Sequence, residues 1–190
     1  VALVLGNIAE VYFSQGNYRQ ALEYYQACLK LHTELRNRRE RARMLNNIGN
    51  IYALAISHTE AVRYYNESLE VMKELGNKES IAATLNNLAA IHHGFHEYQK
   101  ALEAYEESLA IKRELGNKSE IARTLSNISV VYLSLKNYSK ALELATEAAG
   151  LEQENGVSDI YQEAMARAGH AHSGLGNWNA AARAYQDAIE

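Results

Sequence analysis

The sequence predicts an all-α protein, an α-solenoid of about five antiparallel helical hairpins, and three observations predict it. The text repeats at a fixed period, each period carries two stripes of helical spacing, and the breaks between stripes hold helix-stop and helix-start residues. LNNIGNIYALAISHTEAVRYYNESLEVMKELGNKES begins at Leu45 and returns as LNNLAAIHHGFHEYQKALEAYEESLAIKRELGNKSE at Leu85. LSNISVVYLSLKNYSKALELATEAAGLEQENG follows at Leu125, LGNIAEVYFSQGNYRQALEYYQACLKLHTELRN stands earlier at Leu5, and a partial fifth repeat starts at Met165. The period is forty residues with no insertion or deletion. Self-similarity of that length marks a stacked array in which each unit buries its face on its neighbours. The repeats fall at about 1–36, 37–76, 77–116, 117–156 and 157–190, one array throughout.

Within a repeat, Leu45, Ile48, Gly49 and Tyr52 lie at i, i+3, i+4 and i+7, one face of a helix. Ala61, Tyr65, Ser68 and Leu69 form the stripe of a second helix. Gly16-Asn17-Tyr18 separates the two in repeat one and Gly176-Asn177-Trp178 in repeat five. Glycine followed by a side-chain oxygen suits a helix end and a new N-cap. Each repeat is therefore read as a helical hairpin.

Leu45-x-x-Ile48-Gly49-x-x-Tyr52 and Ala61-x-x-x-Tyr65 resemble the tetratricopeptide repeat pattern over essentially the whole chain. The period exceeds that family's usual length of about 34 residues, and the closing proline is absent from every repeat. The longer variety is similar to that of kinesin light chains, bacterial peptide-sensing regulators and the repeat halves of bacterial caspase-like CHAT proteins. The resemblance implies a right-handed superhelix whose first helices line an inner, concave side. It also implies a protein–protein interaction scaffold that binds a peptide or partner helix there.

Taken in order, repeat one pairs a helix to about Ser14 with another from about Tyr18. Its exit gathers Arg36, Arg38, Arg39, Arg41 and Arg43, read as a solvated turn or an acidic partner's site. Asn37 with Glu40, and Asn117 with Glu120, have capping-box spacing. Repeat two has Ile56-Ser57-His58-Thr59 at its inner turn, where the missing glycine and aromatic anchor predict a looser hairpin. Gly76-Asn77 ends its second helix with a left-handed C′ glycine, so the extra residues lengthen helices instead of forming loops.

Repeat three holds His92-His93-Gly94-Phe95-His96. The spacing admits a metal, but His92 replaces the packing tyrosine of Tyr12, Tyr52 and Tyr132, and the helix is expected to end before His96. No metal site is assigned. In repeat four Ala145 replaces the tyrosine of Tyr25, Tyr65 and Tyr105, so the hairpin either packs closer or leaves space. Its exit, Glu152 to Asp159, is the acidic counterpart of the basic turn. Repeat five brings Trp178 into the aromatic turn slot.

Net charge is −4 with both signs interleaved, which does not indicate nucleic-acid binding. No apolar run is long enough to span a membrane, and a cytoplasmic setting is expected. Cys28 occupies the small packing slot of Ser68, Ser108 and Ala148, so no disulfide framework exists. The GNK turns lack the glycine spacing of a phosphate loop, and there is no Gly-x-Ser-x-Gly elbow. The asparagine-x-serine sequon at Asn66 places Ser68 in a packing position. An enzyme is not expected, and no cofactor is.

What remains is surface. Half a turn from the packing stripe, the first helices carry a ladder of Asn7, Asn47, Asn87 and Asn127, continued by Arg167. Arg43, Asn46, Asn50, Asn86 and Arg123 enrich the same side. The expectation is that this side binds an extended peptide or partner helix, the asparagines holding backbone and the arginines favouring acidic groups. Alternatively, the amides bond the neighbouring repeat's first helix. A carboxylate clamp is disfavoured, because Asn46 and Asn127 stand where cations belong.

A rival reading is a structural or regulatory repeat region that binds its own effector domain in cis. The chain begins inside a helix stripe and ends inside a second helix, so both ends read as cuts through a longer array. Exposed apolar faces are expected at Val1, Leu3 and Val4 and at Ala181, Ala184 and Ala188, with weak end-to-end self-association.

Overall fold

The computed structural model describes residues 1–55, 57–153 and 158–189. Ile56 of the second inner turn and 154–157 of the acidic exit lie outside the described residues. Two units are formed, Val1–Phe95 and His96–Glu190.

The first unit holds α1 (Ala2–Ser14), α2 (Tyr18–Glu34), α3 (Arg38–Ala55), α4 (His58–Leu75) and α5 (Lys78–Gly94). The second holds α6 (Tyr98–Leu115), α7 (Lys118–Ser134), α8 (Tyr138–Glu152), α9 (Asp159–Gly174) and α10 (Trp178–Asp187). Among the described residues there are ten helices and no strand. In the first unit α1 pairs with α2 and α3 with α4, while α2 also packs on α3 and α4 on α5. In the second, α7 pairs with α8 and α9 with α10, and each hairpin leans on the helix before it. The helices are the ones the two stripes predict, and the extra residues of the long period lie inside them.

Three asparagines build two helix ends at once. The backbone N–H groups of Asn37, Asn77 and Asn137 donate back to His32, Met72 and Tyr132 carbonyls, at 2.9, 3.1 and 2.9 Å, closing one helix. Their side-chain oxygens then accept from Glu40, Ser80 and Lys140 N–H groups, at 3.3, 3.0 and 3.2 Å, starting the next. Asn117 caps α7 through Glu120 N–H at 3.2 Å, as its spacing predicts. Gly16, Gly76, Gly116 and Gly176 have φ between 64° and 76°, the left-handed form glycine takes freely. Arg36, His96 and Lys136 adopt it too, with φ of 54°, 62° and 57°. The sequence offers no glycine at those three ends. The joint geometry imposes the conformation on them.

The altered turn of repeat two keeps its anchor. Ser57 accepts from Glu60 N–H at 3.4 Å, and the His58 ring lies 4.1 Å from that of Phe95. An imidazole thus stands in for the missing tyrosine. Repeat four packs closer: Ala145, Ala148 and Ala149 are all buried, and Ala145 meets Ala168 and Ala184. Those contacts correct the expectation for the end face, since Ala181 and Ala184 of α10 point inward and Ala188 is half-buried. Trp178 and Ile189 are its exposed apolar groups instead. At the acidic exit, Glu152 is buried at the end of α8 with its carboxylate accepting from Ser158 Oγ at 2.8 Å.

The core of the first unit joins Ala9, Ala21, Tyr25 and Cys28 to Met44, Ile48 and Ile51 of the following repeat. Tyr12 stacks on Tyr24 and Tyr52 on Tyr64 at 5.5 and 5.3 Å, one period apart. Cys28 is buried as expected, but its slot has chemistry beyond size. Its Sγ donates to the Ala2 carbonyl at 3.3 Å, as Ser68 Oγ donates to the Ala42 carbonyl at 2.8 Å. Several side-chain bonds join residues about one period apart, among them Arg43 to Glu10 over 33 residues and Arg167 to Ser126 over 41.

Burial raises the hydroxyls of Tyr25 and Tyr105 from the ordinary tyrosine value of 10.0 to about 12, and Tyr65 higher still. The folded chain therefore keeps these protons where the unfolded chain releases them. Their stabilising contribution is complete below about pH 10 and is lost as pH rises through the folded values. Urea melts are expected to show falling stability between about pH 10 and 12, flattened when the three are changed to phenylalanine. An unchanged slope in that variant assigns the decline to other groups.

Candidate protein-binding face

Every candidate residue lies on a first helix: Asn7 on α1, Arg43, Asn46, Asn47 and Asn50 on α3, Asn86 and Asn87 on α5, Arg123 and Asn127 on α7, and Arg167 on α9. In the first unit the structure gathers several of them around two recesses. One, of about 350 Å³, is lined by Phe13, Asn50, Ala53, Leu54, Tyr65, Asn87, Ala90 and Ile91. Its walls are mostly apolar, and three polar groups meet at one side. Asn50 Oδ1 accepts from Tyr65 Oη at 2.7 Å and from Asn87 Nδ2 at 3.2 Å. Asn87 thus bonds the first helix of the neighbouring repeat. The bond leaves the second amide hydrogen of Asn87 and the amide nitrogen of Asn50 to serve other acceptors.

Gly49 makes this arrangement possible. A Cβ there would stand 2.8 Å from two carbons of the Tyr65 ring, so the glycine lets the ring lie on the α3 backbone and deliver its hydroxyl to Asn50. Gly169 admits Tyr185 in the same way, at 2.7 Å. Where Tyr25 and Tyr105 occur, alanine stands at the equivalent first-helix positions, Ala9 and Ala89.

The second recess, of about 140 Å³, is lined by Arg39, Glu40, Arg43, Asn46, Ser68, Met72, Ser80, Ala83 and Thr84. Arg43 is half-buried and held by Glu40 at 2.8 Å and Glu10 at 3.1 Å. Burial alone would lower its pKa, but these two carboxylates reverse the effect and raise it. Asn46 Oδ1 accepts from Thr84 Oγ1 at 3.2 Å. Asn47 hydrogen-bonds the Tyr25 hydroxyl of the repeat before it. Arg38, by contrast, is paired with Glu74, which neutralises part of the basic exit.

The remaining candidates are less alike than the ladder implies. Asn7 is exposed on α1, Asn86 is half-buried on α5, and Asn127 is half-buried on α7. Arg123 is exposed, 3.5 Å from Glu120. Arg167 reaches the Ser126 hydroxyl and Glu163, and burial lowers its pKa. Arg167 is half-buried, and these contacts tie it to α7 and to its own helix inside the second unit.

Sequence reasoning missed Lys112, whose ammonium is buried and bonds Thr124 Oγ1 and Glu120, each at 2.9 Å. The same position holds His32, Met72 and Glu152 in other repeats, and all are buried. A polar residue at the slot of Met72 was the available signal. In the histidine stretch α5 ends at Gly94, before His96, whose ring lies 2.9 Å from the Tyr98 hydroxyl. No helix of the described residues is long and apolar enough to cross a membrane.

Comparison with known proteins agrees with this architecture. The tetratricopeptide repeat family model matches residues 1–74, 40–114 and 80–154, and a model described as anaphase-promoting complex subunit 5 matches 130–190. No curated protein sequence matches the chain. Among solved structures, BtubC (BKLC) from P. vanneervenii is similar with a TM-score of 0.87 at 20% identity, over 97% of this chain and 77% of that one. A kinesin light chain-like protein of nearly identical TPR-like repeats from Podosopora anserina scores 0.81 at 16% identity, over 98% and 92%. A Rap protein complexed with competence and sporulation factor scores 0.81 at 19% identity, over 97% and 52%, so the chain spans about half of that protein's length. With repeat matches covering most of its length and an all-α solenoid class in common with these structures, the chain belongs to the tetratricopeptide repeat family.

Proposed function

We propose that this repeat region is a protein-interaction scaffold that holds an extended peptide or partner helix against its first helices. The observation that carries the reading is the recess between α3 and α5. It offers apolar walls for one side chain of a ligand and, beside them, the Asn50 and Asn87 amides for its backbone. A concave, mostly apolar site with a few placed polar groups is the usual form of a binding pocket. The Rap protein, solved with competence and sporulation factor bound, is a relative in fold that takes a ligand of its own. The tetratricopeptide fold is a scaffold class and not a catalytic one.

The test uses the 190-residue chain panned against a displayed random peptide library. Saturable binders are expected, and Ala90→Trp is expected to abolish their binding. Ala90 is exposed and lines the recess, so the substitution fills the site without disturbing the core. Binders unaffected by Ala90→Trp would place the binding elsewhere, and the absence of any saturable binder to the folded chain would remove the reading.

A further inference from the structure

Where α4 packs on α5, two imidazoles meet at positions that hold phenols in the neighbouring repeats. His58 opens α4, and His92 lies in the last turn of α5. One period earlier the same two positions are Tyr18 and Tyr52, and one period later they are Tyr98 and Tyr132. A further period on they are Tyr138 and His172, a single exchange. Packing does not ask for two histidines here, since tyrosine fills both slots on either side. What the exchange adds is a pair of ring nitrogens with lone pairs to offer.

Their geometry suits a shared ion. The rings stand edge to face with centroids 6.0 Å apart, and a nitrogen of one lies within 4.8 Å of a nitrogen of the other. Imidazole nitrogens bond zinc at about 2.0–2.1 Å, which sets two of them about 3.4 Å apart on a tetrahedral ion. Small turns of the two rings cover the difference. His92 is buried and His58 half-buried, with the Phe95 ring 4.1 Å from that of His58, so an ion reaches the pair from the His58 side. The sequence had raised a metal on His92 and His96, along one helix. Instead α5 ends before His96, and the second imidazole comes from the preceding repeat.

We propose that His58 and His92 together bind one zinc ion, a borderline-soft cation that imidazole suits. The two ligands come from successive repeats, so the ion ties α4 to α5 across the joint that follows the altered turn of repeat two. Water completes its coordination, which makes this an open site. An ion that binds the folded joint and not the unfolded chain stabilises the first unit by mass action.

Zinc chloride titrated into the 190-residue chain in a calorimeter is expected to show saturable binding of one ion per chain and to raise the melting temperature. His58→Tyr and His92→Tyr each supply the residue that the neighbouring repeats carry, so both are expected to fold, as circular dichroism checks. Each is expected to abolish the saturable binding and the rise in melting temperature, whereas His96→Gln is expected to keep both. In the wild-type chain, the imidazole proton resonances of His58 and His92 are expected to move with zinc while those of the other histidines hold. That measurement needs no variant to fold. Binding that survives either tyrosine substitution, binding lost with His96→Gln, resonances that move at other histidines instead, or a wild-type chain with no saturable binding would each overturn the proposal.

Discussion

Tyr65→Ala is expected to destabilise the first unit by about 3–5 kcal/mol, the usual cost of removing a large buried aromatic side chain. Tyr65 is 2% exposed, its ring occupies the space that Gly49 leaves, and its hydroxyl is bonded to Asn50. Alanine would lose all three and open a cavity beside the recess. Tyr65→Phe keeps the ring and loses only the hydrogen bond, for about 0.5–1.5 kcal/mol. Urea unfolding gives both values, and hydrogen exchange locates them. Faster exchange is expected in α3, α4 and α5, with the second unit little changed, since each repeat leans only on its neighbours. Equal costs for the two substitutions would show that the ring contributes little. Uniform loss of protection along the chain would show a single cooperative unit.

Replacing Asn47, Asn87 and Asn127 together by alanine is expected to weaken binding of a selected peptide by roughly 10- to 100-fold, the equivalent of one or two lost hydrogen bonds. Stability is expected to change less. Alanine improves helix propensity by up to about 0.7 kcal/mol per site, while the bonds to Tyr25 and Asn50 are lost at about 0.5–1.5 kcal/mol each. The two effects nearly offset. A large drop in melting temperature with affinity per folded molecule unchanged would assign the ladder to the scaffold alone.

Much of the architecture is written in local pattern. A stripe at i, i+3, i+4 and i+7 states where a helix is and which side it buries, and an asparagine after a left-handed residue states where the next begins. The placement of the ladder on first helices follows from that register. Its partners do not, because they come from other helices. Asn50 meets Tyr65 from 15 residues away and Asn87 from 37, and nothing in either helix's own text specifies those meetings. Lys112 was hidden for the same reason, since a lysine at a core position reads as a solvated charge until Thr124 and Glu120 are seen beside it. The end face at α10 failed differently. Ala180, Ala181, Ala182, Ala184 and Ala188 surround the helix with one small residue type, so hydrophobicity does not tell the buried side from the open one.

The reach of the side-chain bonds bears on how the chain is made. Arg43 to Glu10, Asn87 to Asn50 and Arg167 to Ser126 all join residues about one period apart. A segment leaving the ribosome therefore finds its partners in the forty residues that emerged just before it, and needs nothing from the end still unsynthesised. Folding can advance at the pace of translation, each new hairpin closing over the apolar face its predecessor left open, so that little such surface is exposed at any moment during synthesis.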